Sequence, residues 1–496
     1  MHGRGPLTIA EALAESLGDG QRVSTGDSDR DLHGGDLTFH APRRPDLVVY
    51  PVSTDEVSRV LAIATERRTP VTAFGAGTSL EGHVIPLRGG ISLDLTRLNR
   101  IAELRPEELT ATVQAGVTRL QLERAVGPYG LSFPFDPGAD ATLGGMAATN
   151  AAGTTTIRYG KMRANVLALE AVLADGSVIR TGSRARKTSA GYDLTGLLVG
   201  SEGTLAVITE LTLRLHPIPE HVVALRLGFE DIEAACRTAA AIVGAGAAVT
   251  RVELLDEWMV GAVNAFSGTT LPVGPTLLVE AAGSRETVHA DLELVRAVAT
   301  GEGAVEILAE EDADARRLLW RARHDVTHAA AARVPGSKER ATDVCVPVSE
   351  LAASVRFARS EIGRLGLHAG IVGHAGDGNV HVSIHVDPSD QDELARSDGL
   401  VSAVVADALA RGGTCTGEHG IGQGKIAALE AEHGDLLPLM RGIKQLFDPL
   451  GIMNPGKVLR ERKVRPALPG AGTRAGPPAP ARARALSGLG GQRFVP

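Results

Sequence analysis

Cysteine is nearly missing from this chain. Its three copies, Cys236, Cys345 and Cys415, are odd in number and far apart, which does not suit a secreted disulfide framework and fits thiols kept reduced. Long apolar runs are missing too: no window reaches the roughly 18 continuous apolar residues of a membrane span. Residues 1–16 lack a basic stretch followed by an apolar one, and the helix-like run at 7–17 contains Glu11 and Glu15, so no export signal is expected. Aromatics are 3% of residues and the net charge is −8. Without a dense basic patch interleaved with aromatics, a nucleic-acid partner drops out. The expectation is a cytoplasmic protein with no transmembrane segment and, at most, peripheral contact with a membrane.

Length is not lacking. At 496 residues the chain exceeds what one core usually holds, so several domains are expected. Residues 1–41 read as an N-terminal helical segment. From 42 to 220, short apolar strands at 47–51, 71–74, 91–95 and 109–114 alternate with Gly-rich turns and a helix-like stretch at 54–68, an α+β pattern. Asp175-Gly176 joins 167–173 to 178–181 as a hairpin turn, and the run at 205–215 is stopped by Pro217 and Pro219. A boundary near 220 opens a second domain, 221–415. Its strand-like stretches at 222–229, 251–255, 276–280, 343–348 and 371–386 are separated by helical periodicity at 232–243, 314–334 and 351–365, predicting an antiparallel sheet covered by helices. A C-terminal segment, 416–460, contains a helix at 440–447 and is expected to return to the first domain, and the Pro-, Ala-, Gly- and Arg-rich tail 461–496 reads as disordered.

Three runs of small residues carry the first chemical signal. Gly75-Ala76-Gly77-Thr78-Ser79-Leu80-Glu81-Gly82 follows the strand 71–74. Its glycines let backbone N–H groups turn around phosphate oxygens, and Thr78 and Ser79 add hydroxyl donors. It is not a Walker A loop, and position 80 breaks the Gly-x-Gly-x-x-Gly spacing; alone, a tight structural turn explains it as well. The other runs are 136–153, with Thr142, Gly144 and Gly145, and 200–205, with Glu202 and Gly203. One long ligand laid across all three explains them better than three unrelated turns.

These runs, with Arg158-Tyr159-Gly160 between the last two, resemble the FAD-binding domain of the vanillyl-alcohol oxidase type of flavoproteins, built from two α/β subdomains. The resemblance implies that the first loop holds the FAD pyrophosphate and the others wrap the ribityl chain and isoalloxazine. The carried-over residues are Gly75, Ala76, Gly77, Thr78, Ser79, Gly82, Thr142, Gly144, Gly145, Glu202, Gly203, Ile208 and Asn454. Some members tether the flavin through a histidine or cysteine. Neither occurs in the first loop, although His83 lies just beyond it, so FAD is expected to be non-covalent.

A second cluster suggests a metal. Gly373-His374-Ala375-Gly376-Asp377-Gly378-Asn379-Val380-His381 sets two imidazoles around a Gly-Asp-Gly turn, and Gly417-Glu418-His419-Gly420 sets a carboxylate beside a third. Either loop histidine alone would be unremarkable; His374, His381 and Glu418 together make a three-ligand site with open positions. His419 is then the natural general base, against the plainer reading of a core histidine. Zinc, manganese and iron all accept two histidines and a carboxylate; zinc or manganese is the expected ion. Asp377 is read as shaping the turn.

Helical spacing sets Arg323 and Thr327 on one face, where both can meet one anion. Lys338, after Pro335-Gly336-Ser337, is the expected second cation. A lone helical arginine is more often in a solvated salt bridge. The order Trp320…Arg323…Thr327…Lys338, then Thr342-Asp343-Val344-Cys345-Val346-Pro347, the His374 and Glu418 runs, and Met453-Asn454-Pro455-Gly456-Lys457 resembles the FAD-linked D-2-hydroxy-acid dehydrogenases over about 42–460. It is most similar to their cytochrome-type D-lactate branch, with glycolate oxidase subunits and D-2-hydroxyglutarate dehydrogenases as near relatives. Ser383 stands where the hydroxyglutarate branch has Asn.

The expected reaction oxidises a small D-2-hydroxy acid, D-lactate first, to the 2-keto acid. The metal and Arg323, helped by Lys338, orient the substrate, His419 takes the hydroxyl proton, and hydride goes from C2 to flavin N5. The resemblance implies cytochrome c, a quinone or an electron-transfer flavoprotein as acceptor, and a homodimer is common among such proteins. A flavin oxidase producing hydrogen peroxide and a flavin-free metal-dependent hydrolase are the alternatives.

Overall fold

The computed structural model describes residues 7–136 and 138–460; the expected tail, 461–496, lies outside them. Residues up to 460 belong to one compact unit of mixed helix and sheet, so the α+β class holds. Thr8 opens the first helix, Ile9–Leu17, through a capping box with Glu11, which is why it starts two residues later than the periodicity at 7–17 suggests.

Two small sheets make the first half. Leu47–Val49, Ile91–Asp94 and Val71–Phe74 pair in parallel, with Val23–Ser24 antiparallel at the edge. The helix Thr54–Glu66, capped by Ser53, lays Val57, Val60, Leu61 and Ala64 on this sheet, the 3–4 spacing of a one-sided apolar stripe. The second sheet is antiparallel, in the order Ile101–Arg105, Thr110–Gln114, Val207–Arg214, Val166–Val172, Val178–Gly182. Its last two strands form the hairpin expected at Asp175-Gly176, with Gly176 at φ +87°.

An eight-stranded antiparallel sheet makes the second half. It runs Glu306–Glu310, His221–Gly228, Thr276–Gly283, Val249–Leu255, His368–His374, Asn379–Val386, Lys338–Ala341, with Val344–Cys345 also pairing with Asn379–Val386. Helices Ile232–Gly244, Arg285–Gly301, Leu351–Leu365 and Gln391–Ala410 share the core of one face. Glu257–Ser267, Ala313–His324 and Val326–Arg333 pack with Ala224, Leu255, Leu278 and Val372.

Three local expectations change. The stretch at 371–386 is two strands, because Gly378 takes φ +77° after a one-turn helix at Ala375–Asp377 and reverses the chain. The helix at 314–334 breaks at Asp325, whose ψ of −5° departs from helical values while its carboxylate accepts from Ser267 Oγ at 2.8 Å. At 343–348 only Val344–Cys345 is strand, since Pro347 has no N–H and leads into a one-turn helix at Val348–Glu350.

Candidate active site

A cavity of about 480 Å³ runs between the two halves. The first loop borders it from Gly75 to Ser79, the second run at Thr142, Gly144 and Gly145, and the third at Glu202 and Gly203, with Ile208 and Asn454 beside them. The amides of Ala76, Gly77 and Thr78 find no acceptor among the described residues. His83 Nδ1, Thr154 Oγ1 and Asn454 Oδ1 border the cavity buried and without a hydrogen-bond partner. Buried polar atoms are rarely left unmatched, so these edges call for a polar ligand of the kind FAD is. At Gly75 a Cβ would run into Thr142 Oγ1, which ties the first two loops together.

Some expected cofactor contacts are already spent. Ser79 Oγ donates to Asp36 at 2.8 Å. Glu202 borders the cavity, but its carboxylate accepts from the amides of Ile421 and Gly422, both at 2.7 Å, and sits 3.2 Å from His83 Nε2. Burial pushes Glu202 up, yet His83 and those two amides outweigh it and hold the group below its usual value. Its role is to fasten the C-terminal segment to the flavin loops. Gly82 does not border the cavity; at φ +71° it turns the chain where a Cβ would strike Gln423.

The histidine cluster borders the same cavity. His374 Nε2 and His381 Nε2 lie 3.1 and 3.2 Å from Glu418 Oε1. His381 Nδ1 is 3.1 Å from the carbonyl oxygen of Thr342, which can only accept, so Nδ1 donates there and Nε2 is the nitrogen turned to Glu418. His374 Nδ1 faces both oxygens of Glu253, at 2.8 and 2.9 Å, and is oriented likewise. Atoms bound to one cation at about 2.1 Å sit roughly 3.3 Å apart, close to these spacings, and a carboxylate behind a ligating imidazole is the usual support. Burial pulls His374 down, but Glu253 and Glu418 outweigh it and hold the imidazole well above its usual value. The site therefore calls for positive charge, which a second proton on His374 or a bound cation would supply.

Asp343 also brings a ligand atom close, within 4.8 Å of those of His381, Glu418 and His419. It is a poorer ligand because it is already saturated. It accepts from the amides of Glu418 and His419, from Asn379 Nδ2, from Thr416 Oγ1 and from Lys425 Nζ, and so shapes the Gly-Glu-His loop. Lys425 in turn reaches Glu81 of the first loop at 3.0 Å.

His419 stacks on His381, with 5.0 Å between ring centroids and 9° between planes. Burial drives its pKa down to about 4, with the Asp343 carboxylate opposing, so the imidazole is neutral near pH 7. Arg323 and Thr327 both border the cavity, although the break at Asp325 puts them on separate helices. Arg323 is not in a solvated salt bridge: buried, it holds Glu253 Oε2 through Nε at 2.9 Å and Nη2 at 2.7 Å. Lys338 is not brought to the site. It is exposed, and its neighbour Glu339 takes the cavity side of the strand, so alternation turns Lys338 away. The sequence reading passed over Glu253, although a carboxylate between Val252 and Leu254 in an apolar strand is itself a signal of a buried polar partner.

Two families match the chain: an FAD binding domain over residues 45–182 and the C-terminal domain of FAD linked oxidases over 218–458. A probable mitochondrial D-lactate dehydrogenase of Danio rerio is 44% identical, covering 91% of each chain. A mitochondrial cytochrome-type D-lactate dehydrogenase of Arabidopsis thaliana is 41% identical over 92% of this chain and 80% of its own. A glycolate oxidase subunit of Bacillus subtilis is 37% identical over 91% and 96%. Among solved structures, p-cresol methylhydroxylase superposes with a TM-score of 0.77 at 20% identity, covering 91% of this chain and 96% of that one. A 4-ethylphenol oxidase from Gulosibacter chungangensis gives 0.75 at 18% identity, over 91% and 97%. At those identities the likeness is one of fold. The chain belongs to the FAD-linked oxidases, carries the vanillyl-alcohol oxidase type of FAD-binding fold, and has D-lactate dehydrogenases among its relatives.

Proposed function

We propose that this enzyme oxidises a small D-2-hydroxy acid, D-lactate foremost, to the 2-keto acid, and that His374, His381 and Glu418 hold a divalent cation, zinc or manganese. The observation that carries this reading is that two imidazole Nε2 atoms converge on one carboxylate oxygen, at 3.1 and 3.2 Å, beside the cavity that the three Gly-rich loops border. Bound FAD supplies the acceptor for the hydrogen and electron pair leaving C2, and the cation supplies Lewis acidity to the neighbouring hydroxyl. The chain's own groups do the rest. His419, neutral and fixed by its stack on His381, takes the hydroxyl proton at Nε2. Glu253 fixes the guanidinium of Arg323 along its Nε–Nη2 edge, and the part that borders the cavity meets the substrate carboxylate. Thr327 adds a hydroxyl on the same wall.

FAD is held without a covalent link in this reading: no cysteine is among the described residues on the cavity, and His83 is turned against Glu202. Cytochrome c is the favoured acceptor, in line with the name of the Arabidopsis thaliana relative; a quinone or electron-transfer flavoprotein would serve the same chemistry. The three thiols are unpaired, which supports a reducing compartment; the cytoplasm was the expectation from sequence, and four relatives are named mitochondrial. Among the described residues no helix is long and apolar enough to cross a membrane. Glycolate is the second substrate reading, favoured by the Bacillus subtilis relative's name. Anaerobic mixing with D-lactate should bleach the flavin band near about 450 nm, and metal-free protein should lose that response and regain it with zinc or manganese. Flavin that stays oxidised under saturating D-lactate and glycolate overturns the reading.

A further inference from the structure

We infer that Glu339, presented by Ser383, makes this enzyme select monocarboxylic over dicarboxylic 2-hydroxy acids by lining the distal side of the substrate cavity with a like charge. This inference rests on the function proposed above and names its substrate class more narrowly.

Ala341 pairs with Ser383 and Glu339 with His385 across neighbouring antiparallel strands. Side chains two residues apart on a strand share a face and lie about 7 Å apart, so Ser383 stands one such step beyond His381 on the cavity side. A substrate held at C1 and C2 beside His381 directs its remaining carbons along that step. The cavity reaches Ala341, Glu339 and Ser383 and stops short of His385. Glu339 thus borders the cavity beside Ser383, on the side toward which the distal group of a longer acid extends.

The polar groups there are unsuited to a second carboxylate. Ser383 Oγ donates its one hydrogen to Glu339 Oε1 at 2.5 Å and lies 3.1 Å from His385 Nε2. Arg323 is the one Arg or Lys among the described residues on the cavity, and the first carboxylate takes it. Met259, Val326, Ala341 and Val372 also border the cavity, which suits a methyl or short alkyl chain, and the His328 imidazole is a further polar group on it that acts on Glu339. Burial already pushes the Glu339 carboxyl above its usual value, with Ser383 opposing. An anion beside it would have to be repelled or force a proton onto it, and either cost falls on dicarboxylates alone.

The test compares acids of equal chain length: D-2-hydroxybutyrate and D-malate, then D-2-hydroxyvalerate and D-2-hydroxyglutarate, each followed by anaerobic flavin bleaching. The wild-type enzyme should favour the monocarboxylic member of each pair in kcat/KM, and Glu339→Gln should shrink that ratio at least about tenfold, as loss of a close like charge implies. Glu339→Asp should restore discrimination. A merely structural role would lower both acids together and leave the ratio unchanged. A wild-type enzyme that takes both members equally, or a ratio untouched in Glu339→Gln, overturns this inference alone. Flavin that no monocarboxylic acid reduces overturns the function reading and this inference with it. A wild-type enzyme without that preference overturns the inference even if Glu339→Gln does not fold, and Glu339→Asp then reads the ratio in its place.

Discussion

Glu253 sits fully buried between Arg323 and His374 and serves both. Removing it leaves a guanidinium without its partner inside the protein. Glu253→Ala should therefore destabilise the fold by about 3–5 kcal/mol and, by loosening His374, weaken metal retention about 10–100-fold. Denaturant unfolding and metal analysis after dialysis check the two effects separately. His419→Ala should slow flavin reduction by D-lactate about 10²–10⁴-fold, the usual contribution of a positioned base, with FAD content unchanged; stopped-flow bleaching measures it. His216 offers a pH signature away from the site. Burial drives it to about 4, and its Nε2 lies 2.9 Å from Asn165 Oδ1. An unfolded imidazole titrates near about 6.5, so between the two values the unfolded chain binds the extra proton. Wild-type stability should fall relative to His216→Gln as pH drops from about 6.5 to about 4, read from paired thermal melts.

The histidines and glycines of the site were legible as residues because their spacing is unusual. Their burden at the level of strands and helices was less so. The sequence shows that Lys338 and Glu339 alternate, but not which of the two faces inward; that is decided by the pairing with Asn379–Val386. The periodicity at 314–334 reads straight through Asp325, because the contact that interrupts it comes from Ser267, 58 residues away. The hairpin at 371–386 was half legible: its Gly376-Asp377-Gly378 turn was read, but both arms are almost wholly buried, so the run on either side of the turn passes for one strand. Gly378 makes that turn, at φ +77°, with Val346 O where a Cβ would go. Gly378→Ala should cost about 1–3 kcal/mol from the strained backbone alone, and should separate His374 from His381. A lowered melting temperature together with reduced metal content would show both effects.

The whole molecule is assembled around its ligands more than around one core. The largest apolar clusters belong to separate sheets, and the cavity lies where their loops meet. Halves joined this way gain from whatever binds between them. With free FAD at about one hundred times Kd, the holoprotein should be about 2.7 kcal/mol more stable than the apoprotein, measured by differential scanning of flavin-stripped and reloaded samples. The α+β class and the alternation of strand and helix were readable from apolar spacing. The return of 416–460 to the first domain was expected from the resemblance, but the contacts that make it were not, since they are buried ion pairs and amides with no sequence pattern of their own.

That return has a temporal side. Glu418 and Asn454 come late in the chain, while the loop they complete is made before residue 90, and Glu202 and Glu81 wait for amides and an ammonium group from residues 421–425. During synthesis, at about 5–20 residues per second, a ribosome-held chain would carry phosphate-binding loops for many seconds before any part of the ion site exists. The cofactor cavity, which Asn454 borders, would therefore stay open on one side until the last of these residues has been made.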